Sequence, residues 1–452
     1  MVSCFGKSRF AVIAFTLQTI FLILFGVFAE YKYEIGAETR WFYPMFQNVH
    51  VMMFIGFGFL MSFLKRYGYF AIGVNFLIAA LVLQWHIIFQ GLVHLSKEHH
   101  WRISINLQSL IAADFTSAAV LISFGAIIGK TSPLQLVIMA ILEVMVFVGN
   151  EYIAVEIFKA TDIGGSMVVH VFGAYFGLAV SRVIYKPFHS GSANEAASYH
   201  SDMFSLIGTI FLWLYWPSFN AAIATTEEQQ IRAIINTYLS LAACCLVTFA
   251  VSSLTDPRGR FNLVHVQNAT LAGGVAVGTA ANFMIQPWGA VLIGVLAAII
   301  STLGFQYLQE AMDKKFGLHD SCGVNNLHGM PGITAAIIGI IAAAYGNVEN
   351  YGSELVDVFP ALDNSTGMAR TAAQQAGFQA ATLGVTLLLA IVGGLVTGAF
   401  LRWLPGLDAP KEASLFYDGK NFLLNDEETI DSMQNVSHSC LEENGETGQS
   451  KI

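Results

Sequence analysis

Twelve apolar runs, each close to the length of a membrane-spanning helix, dominate this 452-residue sequence. A helix that crosses the roughly 30 Å hydrocarbon core of a bilayer needs about 20 mainly apolar residues. The runs fall near residues 10–29, 44–64, 69–91, 104–128, 134–150, 162–184, 203–221, 231–254, 263–283, 288–308, 327–346 and 374–402. Only 12% of the residues are charged, against about 25% in soluble domains. The sequence therefore predicts an all-α polytopic membrane protein and argues against a soluble enzyme, a disordered protein and a nucleic-acid binder.

Lysine and arginine in the connections predict the orientation of the chain, because cytoplasmic loops carry an excess of both. With the N-terminus inside, twelve of these residues fall on the cytoplasmic side and seven on the outer side, before the C-terminal tail is counted. Both termini are therefore predicted to be cytoplasmic. The first run is longer than the roughly 7–15 apolar residues of a signal peptide, which favours a retained helix over a cleaved one.

Most of the net charge of −9 belongs to the C-terminal tail, where residues 403–452 contribute −7. We expect residues 406–452 to be a separate, acidic and disordered cytoplasmic tail after a membrane domain of residues 1–405. The last three residues, Ser-Lys-Ile (450–452), fit a ligand of the PDZ type, and a sorting partner is the alternative.

The sequence contains no motif that indicates a catalytic site or a bound cofactor. The five cysteines show no disulfide or zinc spacing, and the chain has no P-loop, nucleophile elbow or metalloprotease motif. We therefore expect no catalytic residue, metal or cofactor. Of three glycosylation sequons, those at Asn268 and Asn435 fall in a predicted span and in the tail. Asn364, in the outer loop 347–373, is the glycosylation candidate.

One pattern occurs twice and carries the chemistry. Residues 162–170 and residues 320–328 both read D-x-x-G-x-x-x-x-H, and each opens a predicted span. The first span enters from outside and the second from inside, so the two segments form an inverted repeat of the kind found in transporters.

The depths of the two histidines of this repeat would allow them to meet at the centre of the bundle. A residue eight positions into a helix lies about 12 Å along its axis, so His170 and His328 end within roughly 6 Å of each other in depth. An intramembrane ionisable residue is a functional candidate, although two separate structural histidines remain the alternative. A neutral imidazole both donates and accepts a hydrogen bond, and an apolar tube opposes a bare cation. The pair therefore favours a small neutral permeant such as ammonia.

Several segments resemble the Rh glycoproteins, the animal branch of the ammonium transporter superfamily, over essentially all of residues 1–405. They are Phe-Gln-Asn-Val-His-Val-Met (46–52), Ala-Asp-Phe-Thr-Ser-Ala (113–118), Gly-Lys-Thr-Ser-Pro (129–133), His-Val-Phe-Gly-Ala-Tyr-Phe-Gly (170–177), Tyr-Trp-Pro-Ser-Phe-Asn (215–220), Gln-Asn-Ala-Thr-Leu-Ala-Gly-Gly-Val-Ala-Val-Gly (267–278) and Asn-Leu-His-Gly-Met-Pro-Gly (326–332). The resemblance implies twelve transmembrane helices, with inverted five-helix repeats and one extra N-terminal helix. It also implies a plasma-membrane homotrimer with one pore in each subunit.

The resemblance also assigns roles to residues. It implies that His170 and His328 are the twin pore histidines and that Phe115 and Phe219 are the stacked phenylalanines that close the outer vestibule. It implies that Asp162 and Asp320 open and orient the two histidine-bearing helices, and that Glu151 is a vestibule carboxylate that gathers ammonium. Without the resemblance, ordinary packing would be the better interpretation of the two phenylalanines.

Two departures from the family pattern lower the expected affinity for ammonium and change the expected glycosylation. Residues 148–151, Val-Gly-Asn-Glu, lack the tryptophan that helps to form a cation–π site in bacterial relatives. This absence indicates low-affinity passage down a gradient. The first outer loop, residues 30–43, is short and has no sequon, which leaves Asn364 as a substitute acceptor.

The predicted function is passage of ammonia after an ammonium ion is recruited and deprotonated. The predicted permeants are ammonia and ammonium, with methylammonium and CO2 as further candidates. A CO2-conducting channel and a non-conducting membrane scaffold are the alternatives. An enzyme and a nucleic-acid partner are not expected.

Overall fold

The computed structural model describes residues 9–33, 37–98, 101–363 and 369–424. Helices make up most of this part of the chain. In several of them a π-helical or 3-10 turn continues or interrupts the α-helix. In chain order these are α1 (Arg9–Phe28), α2 (Ala37–Val51, continued by Met52–Gly56, Phe57–Leu60 and Met61–Phe63), α3 (Gly68–Glu98), α4 (Leu107–Ile127), α5 (Pro133–Glu151, continued by Tyr152–Ile157), α6 (Ser166–Val171 and Phe172–Ile184), α7 (Tyr199–Ala221), α8 (Glu227–Thr255), α9 (Leu263–Asn268, Ala269–Leu271 and Ala272–Gly278), α10 (Gln286–Leu303, Gly304–Leu308 and Gln309–Phe316), α11 (Asn325–Gly329 and Met330–Ala344) and α12 (Ala372–Trp403).

Short elements connect these helices or follow the last of them. Strand β1 (Ala29–Tyr31) pairs in parallel with β2 (Ile103–Ile105), and Ala29 lies opposite Ile103. Brief helical turns occupy Pro187–His189, Val348–Tyr351, Gly352–Glu354, Leu355–Val358, Pro360–Leu362, Glu412–Ser414 and Asp418–Lys420.

Polar residues at the helix starts explain several of the boundaries. Asn106 accepts a hydrogen bond from the backbone N–H of Ser109, and the Ser109 hydroxyl accepts one from the backbone of Asn106. The same reciprocal cap precedes α5 at Ser132 and α12 at Thr371. Such caps satisfy N–H groups that a helix start leaves without partners, so each helix begins where its cap lies.

Helices α4 and α6 form the centre of the bundle, and glycine lets their backbones approach closely. A Cβ on Gly173 would lie 2.5 Å from the carbonyl oxygen of Ala119, and one on Gly177 would lie 2.6 Å from Cα of Ser123. This pair has the small-xxx-small spacing of close helix contacts in membranes. In contrast, α1 lies on the outside of the bundle, with Phe21 as its one buried residue.

Ten helices of the described chain are long and apolar enough to cross a membrane. The two remaining predicted spans coincide with α7 and α9. Helix α7 is continuous, but it carries the polar residues Asp202 and Asn220 and also Pro217. Helix α9 is interrupted at Asn268, so its apolar run is not one continuous α-helix. The polytopic all-α fold is therefore confirmed, whereas the count of twelve spans stays a prediction.

Both ends of the described chain lie at the same end of the bundle, which we call the termini-bearing end. Arg9 donates a hydrogen bond to the carbonyl of Gly406 at 3.2 Å. Beyond α12, Phe416 packs on Gly129, and the Asp418 carboxylate accepts hydrogen bonds from the first N–H groups of α3. The chain thus contacts the bundle past residue 405, and residues 425–452 lie outside the described residues. The predicted division between membrane domain and tail stays a prediction.

A buried lysine joins three parts of the chain at the termini-bearing end. The Lys130 ammonium donates to the carbonyls of Ala126 (2.8 Å) and His319 (2.7 Å) and to the hydroxyl of Ser181 (3.0 Å). Nε2 of His319 in turn lies 2.7 Å from the Glu195 carboxylate. Burial lowers the pKa of Lys130 to about 8, and nearby carboxylates oppose the shift.

A buried histidine beside this cluster predicts acid sensitivity. Burial lowers the pKa of the His189 imidazole to about 3, and the positive charge of Lys130 adds to the shift. Between about pH 6.5 and pH 3 the unfolded chain binds a proton that the folded chain does not, so the free energy of unfolding falls as pH falls through this window. The slope from this one group is at most about 1.4 kcal/mol per pH unit.

We expect the melting temperature in detergent to fall less steeply between pH 7.5 and pH 5 in a His189→Gln variant than in the wild type. The matched control is His200→Gln, because His200 is exposed. Identical pH profiles for the wild type and the His189 variant would contradict this account.

Candidate pore site

The two D-x-x-G segments fold in the same way. Gly165 and Gly323, each three residues after the aspartate, have φ values of +63° and +72°. These left-handed conformations are readily adopted only by glycine. Each glycine precedes a π-helical stretch, Ser166–Val171 or Asn325–Gly329, which carries the histidine.

The aspartates hold these stretches through backbone hydrogen bonds. The Asp162 carboxylate accepts the N–H groups of Met167 and Val168, each at 2.9 Å, and the Thr279 hydroxyl at 2.6 Å. The Asp320 carboxylate accepts the N–H groups of Val324 and Asn325, each at 3.0 Å. Burial raises the pKa of Asp320, while these two N–H donors oppose the shift. In the structure both aspartates are thus capping residues.

Helices α6 and α11 run in opposite directions. Tyr185, just past the end of α6, lies near Gly317, which precedes the second motif. The Thr161 hydroxyl, just before the first motif, donates to the carbonyl of Val358, which follows α11. The histidine-bearing stretches therefore enter the bundle from its two ends.

The structure brings the two histidines into direct contact. Nδ1 of His170 lies 3.1 Å from Nδ1 of His328, and the rings are nearly parallel, with centroids 5.1 Å apart. Both side chains are buried. The helices begin at Ser166 and Asn325 rather than at the aspartates, so the histidines lie closer to the helix starts than expected. The rings still meet because the D-x-x-G segments themselves enter the interior of the bundle.

Aromatic rings continue the histidine pair towards the far end of the bundle, opposite the termini. Phe115 and Phe219 are in contact, with ring centroids 4.4 Å apart, and Phe219 lies 5.7 Å from His170. Trp216 stacks on His170 at 5.6 Å. The predicted pore phenylalanines and histidines thus form one column of rings.

On the other side of the pair, a small cavity borders His328. Its volume is about 20 Å³, and most of its lining is apolar, including Phe57, Ile122 and Leu327. A cavity needs about 10–15 Å³ of such volume to hold one water. The cavity therefore accommodates about one molecule of the size of water or ammonia.

Glu151 lies inside a helix rather than just outside a span. The π-helical turn Tyr152–Ile157 continues α5 past the predicted end at residue 150, because this segment is also mainly apolar. The Glu151 carboxylate accepts a hydrogen bond from Gln90 at 3.1 Å, and Gln90 contacts His86 at 3.0 Å. Nδ1 of His86 lies 2.7 Å from the hydroxyl of Thr116, the residue after Phe115. A polar network therefore joins Glu151 to the helix that carries Phe115.

Two groups at this site were not predicted from the sequence. Asp114, fully buried and adjacent to Phe115, lies 2.9 Å from Nδ1 of His50. The position of Asp114 within an apolar run could have indicated its importance, because an intramembrane carboxylate is a functional candidate. Trp216 had no comparable signal, since a tryptophan in an apolar run is ordinary.

Within the described residues, no group of three or more His, Cys, Asp or Glu side chains is arranged to hold a metal ion. Asn364, the predicted glycosylation site, lies outside the described residues.

Comparison with known proteins identifies the family of the chain. The model of the Ammonium Transporter Family matches residues 10–417. The chain belongs to the ammonium transporter family. It is 50% identical over 428 residues to ammonium transporter Rh type B of Danio rerio, covering 91% of this chain and 92% of the relative. It is 47% identical over 423 residues to ammonium transporter Rh type C of Homo sapiens, covering 89% and 87%. The resemblance to Rh proteins is thereby confirmed, and the family is one of transporters rather than enzymes.

Solved structures share the fold. Nitrosomonas europaea Rh50, of the Rhesus protein family of channels, superposes with a TM-score of 0.73 at 30% identity, covering 91% of this chain and all of that chain. A sensor Amt protein superposes with a TM-score of 0.66 at 17% identity, covering 85% of this chain and 98% of that chain, which is a likeness of fold alone.

Proposed function

We propose that the chain conducts ammonia down its gradient through a pore in each subunit of a homotrimer. An ammonium ion is recruited at the far end, near Glu151, and beside Phe115 and Phe219 it gives up its proton to water on that side of the membrane. Ammonia then passes His170 and His328 and is protonated again at the termini-bearing end, which we place in the cytoplasm. The contact between two buried imidazoles in a column of rings carries this proposal.

The shared hydrogen bond gives the histidine pair one donor and one acceptor for a permeant. When one Nδ1 donates to the other, the donor ring keeps an unprotonated Nε2, and the acceptor ring keeps its proton on Nε2. Nε2 of His170 has no hydrogen-bond partner among the described residues. Ammonia can donate to one ring and accept from the other, whereas ammonium has no lone pair with which to accept.

The apolar walls add to this selection. Removing an ion from water without a counter-charge costs at least several kcal/mol, whereas a small neutral molecule loses only its hydrogen bonds with water. The small cavity beside His328 is bounded mainly by apolar side chains, with no carboxylate among them. The site therefore favours ammonia over ammonium.

The test is flux into liposomes that contain the purified full chain and a pH-sensitive dye. After addition of ammonium chloride, ammonia entry makes the lumen alkaline, and we expect this change to be faster than in protein-free liposomes. A rate equal to that of protein-free liposomes would exclude conduction. A sustained inward current without alkalinisation would instead show net ammonium transport.

Glu151→Gln should lower the rate at low ammonium concentration by about two- to fivefold, because one partly exposed charge contributes roughly 0.4–1 kcal/mol of attraction. The rates of variant and wild type should converge at high concentration. Glu349→Gln is the control, because Glu349 is exposed in the connection between α11 and α12. Equal effects of the two substitutions would remove Glu151 from the recruitment step.

A further inference from the structure

A cavity of about 870 Å³ lies at the termini-bearing end, separate from the column of rings. It is enclosed by the start of α1, the first turns of α3, the start of α5 and the segment that follows α12. Its residues include Phe10 and Lys411, both exposed, so the cavity opens on the surface of the bundle. A cavity of this volume is in the range of sites that bind small organic molecules.

The deeper wall of the cavity is apolar and runs along membrane helices. Val74 and Leu77 of α3 line it together with Phe10 of α1 and Phe422. Leu77 lies nine residues after the first residue of α3, which is about 13 Å along the helix axis. The wall therefore extends from the end of the bundle into the depth of the hydrocarbon layer, where a hydrocarbon chain can pack against it.

The outer rim of the cavity is cationic. Lys411 and Lys420 both line it. The Lys411 ammonium forms no ion pair or hydrogen bond with another described residue. The Lys420 ammonium donates to the backbone carbonyl of Asp408 at 2.8 Å. The Asp408 carboxylate lies 4.0 Å from Arg9, which offsets its negative charge. The rim thus presents excess positive charge above an apolar wall.

We propose that this cavity binds a phospholipid with an anionic headgroup from the leaflet at the termini-bearing end. The headgroup phosphate lies between Lys411 and Lys420, where Asn421 can donate a further hydrogen bond. One acyl chain lies along Val74 and Leu77. An anionic surface attracts basic residues beside a membrane helix, so charge complementarity selects this occupant.

Lipid binding to the full chain in detergent tests the proposal. The probe is a fluorescent phosphatidylserine with two 18-carbon chains, and unlabelled lipids compete with it. We expect Lys411→Gln and Lys420→Gln each to weaken phosphatidylserine binding about fivefold, since each lysine near a membrane surface contributes a factor of this size. The matched control is Lys315→Gln, because Lys315 is exposed at the end of α10 and does not line the cavity.

A second variant tests the apolar wall. Leu77→Trp fills part of the cavity and should weaken binding of the whole lipid while the melting temperature in detergent stays within a few degrees of the wild type. Water-soluble glycerophosphoserine should compete at least a hundredfold less well than the lipid. These measurements do not depend on transport, so they separate this proposal from the proposed function.

Four outcomes would overturn the proposal. Phosphatidylcholine competing as well as phosphatidylserine, or an equal loss in Lys315→Gln, would exclude recognition of the anionic headgroup. Glycerophosphoserine competing as well as the lipid would show a site for a free phosphate ester. No phosphatidylserine binding to the full chain, with binding that appears only after removal of residues 425–452, would show that the chain's own C-terminal residues occupy the cavity.

Discussion

Replacing both histidines of the buried pair should nearly abolish ammonia flux. In a His170→Ala/His328→Ala variant, ammonia crosses the centre of the bundle without the donor and the acceptor that the imidazole pair presents. The loss of these hydrogen bonds raises the barrier by about 2 kcal/mol, which corresponds to a roughly thirtyfold slower flux. The measurement is the rate of alkalinisation in liposomes after addition of ammonium chloride.

The control for this variant is His265→Ala. His265 is also buried, but its Nδ1 contacts Ser252, and it lies outside the column of rings. We expect His265→Ala to change the melting temperature without slowing flux per folded protein. If the double histidine variant is folded and its flux is unchanged, the pore does not pass between these two rings.

Asp162→Ala should have the largest effect on stability. The carboxylate accepts three hydrogen bonds, and its removal leaves two buried backbone N–H groups and the Thr279 hydroxyl without partners. We expect a loss of about 3–5 kcal/mol in the free energy of unfolding, since each charge-assisted bond contributes roughly 1.5–3 kcal/mol and water compensates in part. Flux should fall as well, because the stretch that carries His170 is no longer held at its start.

Two further variants separate capping from other roles of Asp162. Asp162→Asn keeps one carbonyl oxygen as an acceptor and should recover about half of the lost stability. Asp357→Asn changes an exposed aspartate near Val358 at the same end of the bundle and should leave stability within about 0.5 kcal/mol of the wild type. If Asp162→Ala is as stable as the wild type, the aspartate does not hold the start of α6.

Helix boundaries differ in how well the sequence predicts them. The apolar runs predicted the helices well, because the hydrocarbon layer requires long apolar segments in any such fold. The errors lie at interruptions. The apolar content of residues 152–157 is visible, but whether the helix continues through a π-helical turn depends on its neighbours. In the same way, composition alone does not show that α9 divides at Asn268.

The sequence by itself determined the class of fold, the family and the identity of the repeated histidines. The length of the apolar runs determines the class of fold, because a chain in lipid must satisfy its backbone hydrogen bonds within helices. The repeat D-x-x-G-x-x-x-x-H marks the histidines, because glycine at the fourth position permits the left-handed turn that both copies adopt.

Only the tertiary structure decided which polar groups meet. His170 and His328 are 158 residues apart, and His50 and Asp114 are 64 apart, yet each pair is in hydrogen-bond contact. The sequence predicts the depth of each residue in the membrane, and this limits which residues can lie at the same level. It does not predict the direction in which each residue points around its helix axis. That direction is set by side-chain packing and by close backbone contacts such as the one at Gly173, which involve every neighbouring helix at once.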